Sequence, residues 1–257
     1  MAKSTQKTAM RPIETALNIL EALGRLQPAG VSELARELDL PKSTVQRALR
    51  ALGETGWIEA VSDEKGAWSL SLRAGLAVGP SDFATRHLRA AAIPVMEELR
   101  RRTSESVYLA VRDGFRMALV ERLDGINPVT HAWPLWRPGP MHPSSLGRAI
   151  LAVMPDEELD DYLLRPLAKV STLTITDPDL LRAELQRSRE RGFALAFRSN
   201  WPNENGVGAA IRNNRGEPFA AISVSAPIER VDEAACEAMG DLLADAARRI
   251  SLGLQRR

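Results

Sequence analysis

The feature that most narrows the possible folds is the stretch 32–53, two helix-period segments separated by a short break. Ser32 is a favourable N-cap for a first helix burying Leu34, Ala35 and Leu38; Asp39 and Leu40 interrupt it, and Pro41 suits the first turn of the next. That next helix, expected over residues 41–53, has an apolar stripe of Val45, Ala48, Leu49 and Leu52, which turns Lys42, Ser43, Gln46, Arg47 and Arg50 outward. Upstream, Ile13, Ala16, Leu17, Leu20 and Leu23 recur at helical spacing over residues 12–24, predicting a core-facing helix with Pro12 in its first turn. Downstream, Trp57-Ile58-Glu59-Ala60 and the alternating run 68–72 read as two strands joined through residues 62–66. Three short helices and a hairpin make a winged helix-turn-helix, whose third helix fits the DNA major groove.

Charge supports this only through position. Lys+Arg 34 against Asp+Glu 33 leaves a net charge of +1, which gives no overall attraction for phosphate. Residues 1–80 hold ten basic against nine acidic side chains. However, Lys3, Lys7 and Arg11 precede any acid, and Lys42, Arg47 and Arg50 share the outward side of the third helix. An ordinary solvated face would carry similar charges. The remaining composition is that of a folded chain, with 44% hydrophobic and 26% charged residues, which excludes wholesale disorder. The single cysteine, Cys236, excludes an intrachain disulfide and a thiolate metal cluster. No apolar run approaches the roughly 20 residues needed to span a bilayer. The polar beginning lacks the apolar core of a secretory signal. A cytoplasmic location without membrane attachment is expected.

The segment Gly79-Pro80-Ser81-Asp82 punctuates a change of texture, dividing a small helical domain over residues 1–80 from a larger mixed one. In the latter, Val107, Leu109 and Val111 alternate before a turn at Arg112-Asp113-Gly114 into Met117, Leu119 and Glu121. Asp177-Pro178 opens a helix through Leu181, Leu185 and Ser188. A last hairpin turns at Asn213-Asn214-Arg215-Gly216, and Asp232 begins a long terminal helix.

The run Gly30-Val31-Ser32-Glu33-Leu34-Ala35-Arg36-Glu37-Leu38-Asp39-Leu40-Pro41-Lys42-Ser43-Thr44-Val45-Gln46-Arg47-Ala48-Leu49 resembles the DNA-binding half of IclR-type bacterial transcription regulators. Met141-His142-Pro143-Ser144-Ser145-Leu146-Gly147-Arg148-Ala149-Ile150-Leu151-Ala152 is similar to the family segment that opens its effector pocket. Phe219-Ala220-Ala221-Ile222-Ser223-Val224-Ser225-Ala226-Pro227 is similar to its late pocket strand. The resemblance implies an α+β chain with three parts. These are a winged helix-turn-helix (1–80), a linker helix (81–103) with Leu88, Ala92, Val95 and Leu99 on one face and a kink at Pro94, and a GAF-like antiparallel sheet with helices (104–257). It further implies dimers or tetramers, a pseudo-palindromic double-stranded DNA operator, and control by a small-molecule effector, a small organic or aromatic acid.

On this reading Arg47 and Gln46 meet base edges while Lys42, Ser43, Thr44 and Arg50 hold phosphates. In the late strand, alternation puts Phe219, Ala221, Ser223 and Ser225 on one face. Its two hydroxyls, about 7 Å apart, could bind a carboxylate, or they could satisfy backbone groups. Met141, Ser145, Leu146 and Gly147 match the other pocket wall, where a helix N-terminus offers N–H groups to an anion. Arg148 reads as a solvated helix residue. The chain departs from the family in having Ala196 where an acid is frequent and Gly206 where cysteine is frequent. The loop 198–206, with Trp201, is expected to replace those contacts. No histidine pair has zinc spacing, so no metal and no cofactor are expected; a metal at His131 or His142 would need carboxylates joining in space. No nucleophile-elbow, Walker or dinucleotide motif appears, so the chain reads as non-enzymatic. The rivals are a sensor whose winged helix contacts protein and an enzyme on a GAF-like scaffold.

Overall fold

A computed structural model describes residues 3–61, 66–74, 83–126 and 134–255. The chain divides into two compact units, Met1–Asp82 and Phe83–Arg257. The expected boundary segment 79–82, the hairpin turn 62–65, His131 and Trp133 lie outside the described residues, as do the side chains of Lys3, Lys7 and Arg11.

The first unit comprises α1 (Lys3–Leu26), β1 (Ala29–Gly30), α2 (Val31–Glu37), α3 (Lys42–Glu54), β2 (Ile58–Ala60) and β3 (Ala67–Leu70). Its core joins Ile19, Ala22 and Leu23 of α1 to Leu34, Val45, Leu49, Leu52 and Ile58. Helix α1 is longer than its apolar period predicts, and Pro12 lies inside it instead of in its first turn. Ile13 and Leu17, expected in the core, are 63% and 55% exposed, because the face of α1 that meets the core is centred on Ala16, Ile19 and Leu23, and helical spacing turns Ile13 and Leu17 away from it. Ser32 is not the N-cap. Gly30, extended and paired with Ala67, leads straight into α2 without a side-chain cap. Asp39 turns the chain with φ 51°, a left-handed conformation that a short polar side chain tolerates. Strand β1 adds a third member to the expected hairpin, giving the order β1-β3-β2. Its two residues are too few to show an alternating pattern.

The second unit is built on a six-stranded antiparallel sheet in the order β6-β5-β4-β9-β8-β7. The strands are β4 (Ser106–Asp113), β5 (Arg116–Leu123), β6 (Pro138–Pro140), β7 (Ala194–Phe197), β8 (Glu204–Arg212) and β9 (Pro218–Pro227). Helices are α4 (Phe83–Thr103), α5 (Ser145–Ala152), α6 (Asp156–Leu163), α7 (Pro178–Arg191), α8 (Glu233–Ala238) and α9 (Gly240–Gln255). Alternation in the strands divides two cores. Val107, Leu109, Ala220, Ile222 and Val224 pack against α4 and α9. Tyr108, Ala110, Leu119 and Ala221 pack against α5, α6 and α7.

The expected stripe of α4 is buried, with Met96 added, and the helix continues through Pro94. Helix α7 is capped by Asp177, whose Oδ1 accepts from Asp179 N and Leu180 N at 2.9 and 3.0 Å, and it ends at left-handed Gly192. The terminal helix is split. Asp232 caps α8, the chain breaks at Met239, and α9 starts at Gly240, where a Cβ would lie 2.1 Å from Phe193 Cζ. Phe219, expected on the serine face, packs with the α4–α9 core instead. The ladder slips beside it, Ile211 pairing with Ala220 but Arg212 with Pro218.

Helix α5 lies unusually close to its surroundings. A Cβ on Gly147 would fall 2.1 Å from Met141 O, and one on Gly208 would fall 2.9 Å from Ser145 O. Both obstacles are backbone, which cannot swing aside. Gly147→Ala is therefore expected to destabilise the second unit by at least about 2 kcal/mol, as overpacking of a core site does. Chemical denaturation of the variant against wild type measures this.

Candidate functional site

Two arrangements carry chemistry, one in each unit. On α3, Val45, Leu49 and Leu52 are buried while Lys42, Ser43, Gln46, Arg47 and Arg50 are exposed and Thr44 is half-buried. The six expected DNA-contacting residues thus share one helix, five of them fully on its open side. Arg73, from the end of the wing, instead stacks over Trp57 at 5.9 Å and donates to Thr55 O at 2.8 Å.

The second arrangement is a cavity between the sheet and the start of α5. Its walls include Tyr108, Met117, Leu119, Ser144, Ser145, Leu146, Trp201, Glu204, Asn205, Ser223 and Ser225. Cross-strand register brings them together: Tyr108 faces Ser223, which faces Gly208, and Ser225 faces Gly206, which faces Ala196. Ser145, Leu146, Trp201, Ser223 and Ser225 therefore meet in one space. Met141 and Gly147 stand behind its wall, Met141 fully buried and Gly147 packed against Met141. Ala196 and Gly206 both line the cavity, and their small size opens it. A Cβ at Gly206 would lie 2.8 Å from Ser225 Oγ and 2.9 Å from Ser145 Oγ.

The α5 end of the cavity offers donors. Ser144 is the N-cap and its Oγ accepts from Gly147 N at 3.1 Å. The helix ladder supplies no acceptor to the N–H groups of Ser145 and Leu146, which start the helix. Arg148, expected in solvent, is buried. It donates to His142 O at 2.8 Å and Leu195 O at 2.9 Å, which clamps α5 to β7, and burial lowers its pKa to about 10. His142 is equally engaged, with Nδ1 2.9 Å from Tyr162 Oη and Nε2 2.9 Å from Ala168 O. Burial lowers its pKa, opposed by the Ala168 bond. Among the described residues no group of three His, Cys, Asp or Glu side chains could hold a metal ion. Cys236 is buried, and burial followed by Asp232, Glu233 and Glu237 pushes its thiol up to about 12, as suits a packing residue.

Among the described residues four buried side-chain atoms have no partner: Ser223 Oγ and Glu204 Oε1 on the cavity faces of β9 and β8, Asn205 Oδ1 on the opposite face of β8, and Arg148 Nη2. Glu204 and Asn205 fall in the segment 198–206 expected to replace the missing pocket contacts, but neither was singled out, because that segment read as a loop whereas β8 already begins at Glu204. Burial pushes the Glu204 carboxyl up to about 7, with Arg122 of β5 opposing. Tyr108 of β4 rises to about 12, through burial first and Glu204 second. A carboxyl held protonated in the native state, but free to ionise in the unfolded chain, costs stability as pH rises from about 4.5 to about 7. Glu204→Gln should therefore stabilise the ligand-free protein by about 1–3 kcal/mol at pH 8 and hardly at all at pH 4. Urea unfolding at the two pH values measures the difference.

Comparison with known proteins identifies the setting. Residues 83–252 match the family model described as the bacterial transcriptional regulator IclR C-terminal domain, and residues 12–62 match the IclR helix-turn-helix domain. The HTH-type transcriptional regulator KipR of Bacillus subtilis is 32% identical over 222 residues, covering 86% of this chain and 88% of KipR. The HTH-type transcriptional repressor AllR of Escherichia coli K12 is 29% identical over 255 residues, covering 98% and 93%. Among solved structures, an IclR homologue from Microbacterium hydrocarbonoxydans complexed with 4-hydroxybenzoate superposes with a TM-score of 0.81 at 28% identity, covering 96% of this chain and 100% of that one. The IclR of Thermotoga maritima gives 0.71 at 25% identity, covering 97% and 99%. With a helix-turn-helix that exposes its polar face and a sheet domain matched almost end to end, the chain belongs to the IclR family of bacterial transcription regulators.

Proposed function

We propose that the protein is an effector-controlled DNA-binding regulator of the cytoplasm whose signal is a small organic or aromatic acid. The observation that carries this reading is the cavity with its buried, unpartnered Ser223 hydroxyl opposite the start of α5. The N–H groups of Ser145 and Leu146 and the hydroxyls of Ser145, Ser223 and Ser225 form a donor set suited to a carboxylate. Trp201, Leu119 and Met117 supply apolar walls, and the 4-hydroxybenzoate in the Microbacterium homologue makes an aromatic acid a natural first probe. Met141 and Gly147 support this site from behind, as packing.

On DNA, Arg47 and Gln46 read base edges from the major groove, while Lys42, Ser43, Thr44 and Arg50 hold phosphates. A dimer or tetramer presents pairs of such helices to a pseudo-palindromic operator. Effector and operator are coupled because the acid binds the DNA-competent and incompetent arrangements with different affinity.

Two measurements test this. Arg47→Ala should lose about 1–3 kcal/mol on a DNA site selected from a random pool; equal losses on selected and random DNA would refute base reading. In a thermal-unfolding screen against carboxylates, a ligand at 100 times its dissociation constant should add about 2.7 kcal/mol of stability. The gain should vanish in a Ser223→Ala, Ser225→Ala double variant. No shift with any acid would overturn the acid reading.

A further inference from the structure

The cavity has two chemically different ends. At the α5 end lie donors. At the other lies an acceptor: Glu204 Oε1 is buried and has no hydrogen-bond partner. Asn205, its neighbour on β8, points to the opposite face, where its Nδ2 donates to Val231 O at 3.1 Å. A buried polar atom without a partner is costly. Glu204 shares a strand face with Gly206 and Gly208, the cavity side of β8. The groups whose charge acts on it are Arg122, an attraction, and Tyr108, whose ionisation it opposes. Arg122 is itself paired with Asp124.

We propose that Glu204 reads the end of the effector remote from its carboxylate, accepting a hydrogen bond from a hydroxyl or amide N–H there. This rests on the reading of the cavity as an acid site and adds to it that the acid carries its own donor. A simple acid leaves Glu204 Oε1 unpaired, whereas a donor-bearing acid pairs it. A site built to receive a hydrogen bond rejects the analogue that cannot give one. Because Glu204 is a carboxyl near a bound anion, a neutral donor suits it at neutral pH.

Calorimetric titration of the full chain tests this with matched probes. One series is benzoate, 4-methoxybenzoate and 4-hydroxybenzoate; the other is butanoate, 4-hydroxybutanoate and succinamate. In at least one series the donor-bearing acid should bind wild type about tenfold or more tighter than its parent. In Glu204→Leu that ratio should fall within about threefold, the parent binding no more weakly than before. Glu204→Gln, which keeps an acceptor oxygen, should retain part of the preference, and its thermal unfolding controls for folding. Equal binding of parent and donor-bearing acids to wild type would overturn the proposal while leaving the acid site standing. A preference that survives in both variants would overturn it as well. Failure of every acid to bind wild type would overturn the acid reading and this proposal together.

Discussion

The effector-side architecture depends on how near α5 stands to the sheet. With hydrogen in place of a Cβ at Gly147 and Gly208, the helix start touches Met141 on one side and approaches strand backbone on the other. Arg148 then fixes this distance with two bonds to backbone carbonyls, one before α5 and one on β7. A buried guanidinium is costly, and here the two carbonyl contacts offset part of that cost, Nη2 being left without a partner. The outcome is a helix N-terminus held rigidly over the faces of β4, β8 and β9. Such rigidity is what a recognition site requires of its polar groups.

Against that rigid frame, the unsatisfied atoms are informative. Most buried polar groups in folded proteins find partners, as do two beside this cavity: Ser199 Oγ donates to Pro143 O at 2.6 Å and Thr174 Oγ1 to Ser199 O at 2.7 Å. Even the bidentate contact of Arg230 with Glu105 satisfies both carboxylate oxygens. The orphan atoms of Ser223 and Glu204, on the cavity faces of β9 and β8, are polar groups left for a bound molecule to pair.

Much of this was legible in the sequence. The period of Val45, Leu49 and Leu52 oriented α3 correctly, because a helix with a strong apolar stripe has one way to pack. Alternation in β9 separated Ser223 and Ser225 from Ile222 and Val224 for the same reason at period two. Where tertiary contacts override local pattern, the reading failed. Ile13 and Leu17 recur at helical spacing, but the buried face of α1 is rotated away from them toward Ile19, Ala22 and Leu23. Phe219 fits the alternation but sits at a slip in the ladder. Ser32 has the chemistry of a cap but not the place, since β1 ends at Gly30. Arg148 looked solvated because nothing local announces that carbonyls from the α5 lead-in and β7 converge on it. Glu204 was hidden by Pro202 and the polar residues around it, which resemble a loop until the pairing of β8 with β9 is seen.

The facing of Ala196 and Gly206 across β7 and β8 has an evolutionary consequence. Because neighbouring residues on each strand point to opposite sides, Leu195 and Val207 hold the domain together while Ala196 and Gly206 only shape the space within it. Exchanges at those two positions alter what the chamber admits without disturbing the hydrophobic layer behind. A lineage built on this scaffold is thus free to diversify its chemical vocabulary quickly while its architecture stands still.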